Sequence, residues 1–345
     1  PQGDSEITVA ILGLAGEIGS LSSVVKKYMR DGLAYRSFQH EAEEEIGDIV
    51  WYLAKLGDKL NIKFADLIVE AHTQKVEDSE AIASIQKLLS YEVESGVLIK
   101  AKEGTEISGA RLFERILTEL NILSHWIGLS IEEIAYRNLE KVKLMWVPND
   151  TGAPFRDKDF ESHEQLPRRM TITFIQKKKG NTYSVIVRAD GRFNIGDRLT
   201  DNAYEDDGYR FHDIFHWSYV AVLGWSPIVR SILSVKRKSD SKRDEVEDGA
   251  RAKIIEEAVS IYLFNYAKKH GEFNEQTAVE RGVIKYIRGL VVGLEVETAM
   301  DWEWQKAIVK GHTVFNEVRR LFSQGDRERV SIEICADSRD IKVID

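Results

Sequence analysis

The stretch GLAGEIGSLSSVVKKYMRDG, Gly13–Gly32, decides how the chain is read. At about 3.6 residues per turn, Leu14, Leu21 and Val24 share one helical face, and Glu17 falls on that same face. A carboxylate on an oily face is costly unless hydrogen-bond donors, a cation or a metal meet it. A second stretch, HEAEEEIGDIVWYLAKLGDKL (40–60), supplies more acids: Glu41, Glu44, Glu45 and Asp48 fall within an arc of roughly 100° beside the apolar stripe of Ile46, Ile49 and Leu53. Like charges so placed repel by about a few tenths of a kcal/mol per exposed i,i+4 pair, so something must offset them.

One reading of the acidic arc is a solvated face. Glu17 favours another: two helices that bring acids to a shared seam form an oxygen-rich cage of the kind hard divalent cations such as Mg²⁺ prefer. The combination of GLAGEIGS…VVKKYMRDG with EEEIGDIVWYLAKLGDKLNI resembles the MazG-like, all-α nucleoside triphosphate pyrophosphohydrolases, whose motif is an ExxE helix followed by an ExxD helix. The resemblance implies Mg²⁺, with Mn²⁺ as an alternative, and cleavage between the α and β phosphates to a nucleoside monophosphate and pyrophosphate. It carries over Glu17, Glu45 and Asp48 as metal ligands. The second acid of the first pair is Ser20 here; a serine ligates Mg²⁺ weakly or through water, Glu41 or Glu44 is a candidate substitute, and an impaired site is the alternative.

IEEIAYRNLEKVK (131–143) resembles the family's later helix, and the resemblance implies nucleotide contacts from Asn138 and Lys141. Aligned at an offset of 67, Glu45 and Asp48 correspond to Leu112 and Arg115, while Asn138 and Lys141 correspond to Ala71 and Gln74. One copy of a repeated helical unit would then keep the metal ligands and the other the phosphate ligands. Lys26, Lys27 and Arg30 are further candidates to draw in a triphosphate, and Glu44 or Glu41 to accept a proton from water. Trp51 and Tyr52 are read as core aromatics rather than a base platform.

The 345 residues, 43% hydrophobic and 30% charged, suit a globular chain of two or three domains. A net charge of −9 disfavours long nucleic acid as a partner while leaving room for one nucleotide. The single cysteine, Cys335, excludes an intrachain disulfide and Cys-rich zinc modules, which makes the cytoplasm the simplest expectation. No run of roughly 18 apolar residues and no basic leader is evident, so neither a membrane span nor a signal peptide is expected. The expected partners are a nucleoside triphosphate and further copies of the same chain.

No proline occurs between Pro1 and Pro148, and the pattern up to Trp146 is helical throughout. Then MTITFIQKKKGNTYSVIVRA (170–189) alternates around Lys-Gly-Asn as a hairpin, helices resume over 209–322, and the tail RVSIEICADSRDIKVID (329–345) is strand-like. The predicted fold is mainly α: a MazG-like helical bundle as a tandem of one complete copy (1–82) and one degenerate copy (83–147), a linker (148–168), and an α+β domain with a small antiparallel sheet (169–345).

In that last domain, YRFHDIFHWSYVAVLGW (209–225) spaces His212 and His216 at i,i+4, with Asp213 between them. ARAKIIEEAVSIYLFNYA (250–267) places Glu257 with Ile254, Ala258 and Ile261, with Glu256 as its exposed or half-exposed neighbour, and the intervening KRKSDSKRDEVEDG (236–249) reads as a solvated charged loop. The sharper reading assembles a second candidate site from His212, Asp213, His216, Glu247 and Glu257. Three functions follow: Mg²⁺-dependent nucleotide pyrophosphohydrolysis, nucleotide sensing without turnover, or phosphohydrolase chemistry at the histidine site.

Overall fold

The computed structural model describes residues 2–344 apart from 65–66, 68–74, 99–104, 146–154, 181, 275–277 and 325–326. It is mainly helical with one small sheet, and it divides into two compact units, Pro1–Leu144 and Met145–Asp345.

The first unit holds helices α1 (Gln2–Asp31), α2 (Phe38–Leu60), α3 (Asp78–Leu98), α4 (Thr105–Trp126) and α5 (Ile131–Met145). The short connection Gly32–Ala34 folds α1 back antiparallel to α2, so Gly13 faces the Tyr52 ring and Lys27 reaches Glu41 at 3.4 Å. The α1 stripe of Leu14, Ile18, Leu21 and Val24 interlocks with Ile46, Ile49 and Leu53 of α2. α2 stops at Asn61, whose left-handed φ of 56° is a conformation asparagine tolerates. α3 and α4 pair in the same sense through Lys87 and Glu119 at 2.9 Å. α5 opens with a reciprocal cap, Ser130 N donating to Glu133 at 3.0 Å and Glu133 N to Ser130 Oγ at 3.2 Å.

One hydrophobic core runs through residues of both expected copies, from Ala10 to Ile134, so the 82/83 division does not separate two cores. The positions aligned with Glu45 and Asp48 have other duties: Leu112 is buried, and Arg115 lies over the Tyr91 ring at 4.1 Å. The segment aligned with Asn138 and Lys141 lies outside the described residues.

Residues Glu6–Ala34 are long and apolar enough to cross a membrane by length and composition, although they contain no unbroken apolar run of that length. Isoleucine, leucine, valine and alanine hold the average up, while interspersed glycine, serine and Glu17 break the run. Here the helix buries its inner stripe in the core, while Val9, Leu12, Met29 and Leu33 are exposed.

The second unit carries a five-stranded antiparallel sheet of order β3-β2-β1-β4-β5, formed by β1 (Arg169–Lys179), β2 (Thr182–Ala189), β3 (Phe193–Leu199), β4 (Arg329–Cys335) and β5 (Asp340–Val343). The expected hairpin is β1–β2, and the tail pairs with it by laying β4 along β1. β3 escaped the sequence reading because it is an edge strand with no buried residue, so it lacks the alternation that marks a half-buried strand.

The helices of this unit are α6 (Asp213–Leu223), α7 (Pro227–Leu233), α8 (Ser241–Val246), α9 (Ala250–Lys269), α10 (Arg281–Leu290) and α11 (Asp301–Ser323). Every residue of α6 is buried, so it is the central helix. α7 begins with Pro227 behind a Ser226 cap that accepts from Val229 N at 3.0 Å.

Two expectations are corrected here. The described part of the expected linker, from Phe155 on, is anchored to this unit's interior by Asp157, which is fully buried and accepts from Arg168 at 2.6 Å, Leu166 N at 2.7 Å and Arg230 at 2.8 Å. Burial opposes its charge, but these partners outweigh burial and hold its carboxyl below the usual range. Nor is 236–249 solvated throughout. It contains α8, capped by Asp240 and without a buried residue, but the fully buried Arg237 grips Asp248 at 2.7 Å and Glu295 at 2.8 Å. Charge density signals solvent, yet at the two ends of the segment opposite charges satisfy each other inside.

Asp157→Ala removes the nearer of the two carboxylates that face the buried Arg230, leaving Asp248 at 3.5 Å, and is expected to destabilise this unit by about 3 kcal/mol, read by urea unfolding. A loss under about 1 kcal/mol would mean that the segment packs only loosely. Burial also pushes the core histidine His312, stacked on Phe215 at 4.5 Å, down to about 4. The unfolded chain then binds the extra proton, so stability should fall as pH drops from about 6.5 to about 4, by about 3 kcal/mol from this group. In His312→Leu that share of the acid slope should vanish.

Candidate functional site

In the first unit the structure brings together residues that the sequence holds 90 positions apart. Asn138 donates to Asp48 Oδ1 at 2.6 Å, and Lys141 reaches both oxygens of Asp48 at 3.0 and 3.2 Å. The i,i+3 spacing on α5 aims both side chains at one point of α2. Gly47 makes the approach possible: a Cβ there would lie 2.8 Å from Asn138 Nδ2 and 2.9 Å from its Cβ. Arg137 adds a tie to Glu43 at 3.0 Å.

The antiparallel alignment of α1 and α2 puts Glu17 and Ser20 alongside the Glu45–Asp48 turn. Glu17, Glu44, Glu45 and Asp48 are all half-buried beside the apolar stripe, as the helical arc implied. Among the described residues, however, their oxygens do not form a converged group of three ligands.

Glu41 is occupied otherwise. It accepts from Ser37 Oγ at 2.6 Å, from Lys27 at 3.4 Å and from the Tyr35 hydroxyl. Burial works against its charge, but these donors outweigh burial and hold its carboxyl below the usual range. It locks the α1–α2 turn. Lys26 is exposed, and the exposed Arg30 pairs with Asp31 at 2.7 Å. Trp51 meets Tyr52 edge-on at 4.9 Å, and Lys55 stands 4.3 Å over its ring.

In the second unit, His212, His216 and Glu257 bring one ligand atom each to within 4.8 Å of one another. His212 is the residue before α6 and His216 lies one turn on, while Glu257 comes from α9. Asp213 stands 3.5 Å from His212 Nε2. Glu247 does not join them: it accepts from Glu295 N at 3.0 Å, beside the Arg237 network.

The assignment of Glu256 and Glu257 is also corrected. Glu256 is fully buried and accepts from Ser226 Oγ at 2.6 Å, Ile228 N at 2.9 Å and His216 Nδ1 at 2.9 Å. Glu257 is half-exposed, and Ile254 and Ile261, its supposed apolar neighbours, are exposed. Glu256 has a helical pattern of its own: Ala252, Val259, Ser260 and Leu263 stand at i−4, i+3, i+4 and i+7 from it and are all buried.

Burial disfavours charge on His216, but Glu256 and Glu257 outweigh it and raise its pKa to about 10. Burial lowers that of His212. The cluster thus welcomes positive charge at one imidazole while the other stays neutral.

A mainly helical chain with an acid-lined helix pair, followed by an α+β unit with a histidine–carboxylate cluster, is the class that fold and sites define. Residues 151–343, more than half of the chain, match the family described as the MazG C-terminal domain, and the chain belongs to that family. The match falls on the half for which the sequence reading named no family. The chain is also similar to the Gene 37 protein of Mycobacterium phage L5, 33% identical over 58 residues, which are 16% of this chain and 51% of that protein. It therefore spans about half the length of that relative. No solved structure matches it significantly.

The Gly47 contact gives a paired test. Gly47→Ala should gain up to about 1 kcal/mol in helix propensity but lose about 1–3 kcal/mol to overpacking against Asn138, lowering Tm. Gly16→Ala, whose Cβ meets nothing within 4 Å, should raise it. Equal shifts in both would mean that α5 does not press on Gly47.

Proposed function

We propose that the chain is a Mg²⁺-dependent nucleoside triphosphate pyrophosphohydrolase whose chemistry takes place on the α1–α2–α5 face of the first unit. The observation that carries this is the Asp48–Asn138–Lys141 cluster: one residue of the acid motif and both expected phosphate contacts meet at a single point. Membership of the family described as the MazG C-terminal domain supports it.

The donors suit the ion. Glu17, Ser20, Glu45 and Asp48 offer only oxygen, which Mg²⁺ prefers. When bound, Mg²⁺ would neutralise phosphate oxygens and lower the pKa of a bound water. The Lys141–Asp48 ion pair is a set of counter-charges that a magnesium–triphosphate pair can replace one for one, with cation on Asp48 and phosphate on Lys141. Asn138 would fix a phosphate oxygen through its amide, and Lys26, Lys27 and Arg30 would add attraction for the polyanion. The water oxygen bonds to the α-phosphorus, the bond to the α–β bridging oxygen breaks, pyrophosphate leaves, and Glu44 accepts the water proton.

Nucleotide binding without turnover is the second reading, favoured by Ser20 in the place of an acid and by the unconverged ligand oxygens. Product analysis of a ribo- and deoxyribonucleoside triphosphate panel with Mg²⁺ separates the two. Monophosphate and pyrophosphate are expected, with kcat down on the order of 100-fold or more in Asp48→Asn and KM up about tenfold or more in Lys141→Ala. Thermal stabilisation by a triphosphate with no product would establish the binding reading instead.

A further inference from the structure

We infer that His212, His216 and Glu257 form a binding site for a divalent first-row transition ion, with two imidazoles and one carboxylate as its donors. The site is separate in chemistry from the all-oxygen arc of α1 and α2. Imidazole nitrogen suits Zn²⁺, Fe²⁺ or Co²⁺ better than Mg²⁺, which takes oxygen ligands.

Hydrogen bonding presets the two rings. His212 Nδ1 lies 2.9 Å from the Tyr209 carbonyl oxygen, which can only accept, so this nitrogen carries the proton and Nε2 keeps its lone pair in the neutral ring. Tyr209 also stacks on the His212 ring at 4.4 Å with an interplanar angle of 4°. His216 Nδ1 donates to Glu256 Oε1 at 2.9 Å, and Glu256 is itself held by Ser226 and the Ile228 amide. A carboxylate behind the far nitrogen of a metal-ligating histidine orients the ring and raises its basicity.

The near nitrogen of His216 is unspent. The residue is 1% exposed and, among the described residues, Nε2 has no hydrogen-bond partner, a costly state for a buried polar atom. The nearest acidic oxygen, Glu257 Oε1, is 3.6 Å away, which is too long for a hydrogen bond. Two ligands each about 2.0–2.1 Å from one tetrahedral ion sit about 3.4 Å apart, close to that separation.

Charge points the same way. Glu256, Glu257 and Asp213 surround two imidazoles, and a dication balances that excess where a single proton on His216 balances only part of it. Glu257 is 47% exposed, so an ion can enter from its side. Three protein donors with one side toward solvent match catalytic zinc sites rather than closed four-ligand structural ones.

The test is Co²⁺ titration of the metal-stripped full chain, followed by visible d–d absorption, with Zn²⁺ as competitor and far-UV circular dichroism as a folding check. One Co²⁺ per chain is expected, displaced by Zn²⁺. Glu257→Gln, a half-exposed and structurally safe change, and His212→Gln should each weaken uptake at least about tenfold. No d–d bands in the wild type, or uptake untouched by both substitutions at this site, would overturn the proposal and mark the cluster as an imidazolium–carboxylate ion pair. The readout needs no turnover, so its failure leaves the pyrophosphohydrolase reading standing.

Discussion

A carboxylate withdrawn from water must find donors or cations, and both units are organised around that constraint. In the second unit Asp157 draws Arg168, Arg230 and the Leu166 amide onto itself, which anchors a proline-bearing polar segment to the interior. Asp248 and Glu295 do the same for Arg237. Glu256 collects Ser226, Ile228 N and His216, thereby tying the cap of α7 and the central helix α6 to α9. Apolar packing supplies most of the driving force here as elsewhere. These charges specify which helix end meets which, because a misplaced partner would leave a buried charge uncompensated.

The same constraint separates structural acids from candidate functional ones. Glu41, Asp157 and Glu256 are saturated with donors, and each holds a turn or a helix end in place. Asp48 is paired instead with a mobile type of partner, a half-buried lysine on a four-carbon stem, alongside one amide. His216 is the mixed case, with Nδ1 fixed by Glu256 and Nε2 left for a ligand.

Legibility followed the strength of the periodic signal. The α1 and α2 stripes, the β1–β2 hairpin and the return of β4 to that sheet were readable, since each alternates or repeats against a buried face. The meeting of α2 and α5 came only from a family resemblance, because no local pattern says that Gly47 is vacant for Asn138. β3 was invisible for want of a buried side. Glu256 and Glu257 differ by only the 100° that separates neighbours on a helix, and each has apolar residues at i+3 to i+4 spacing, so the pattern alone does not single out the buried one. The linker and the charged loop were misread for a shared reason. Composition reports how polar a segment is, whereas burial depends on whether opposite charges elsewhere in the chain complete it.

Donor chemistry then argues for two different ions. Around Asp48 every candidate donor is an oxygen, and several carry full charge, which suits a hard ion that keeps some of its water and bridges to phosphate. Around His216 two nitrogens are oriented in advance by a carbonyl and a carboxylate, which is wasted on Mg²⁺ but suits an ion of the zinc–iron type. A single ion shared by function between the two units would have no reason to meet such unlike donor sets. The ion proposed for the second unit is therefore of a different kind from the Mg²⁺ proposed for the first, and the preset histidine pair is the observation that separates them.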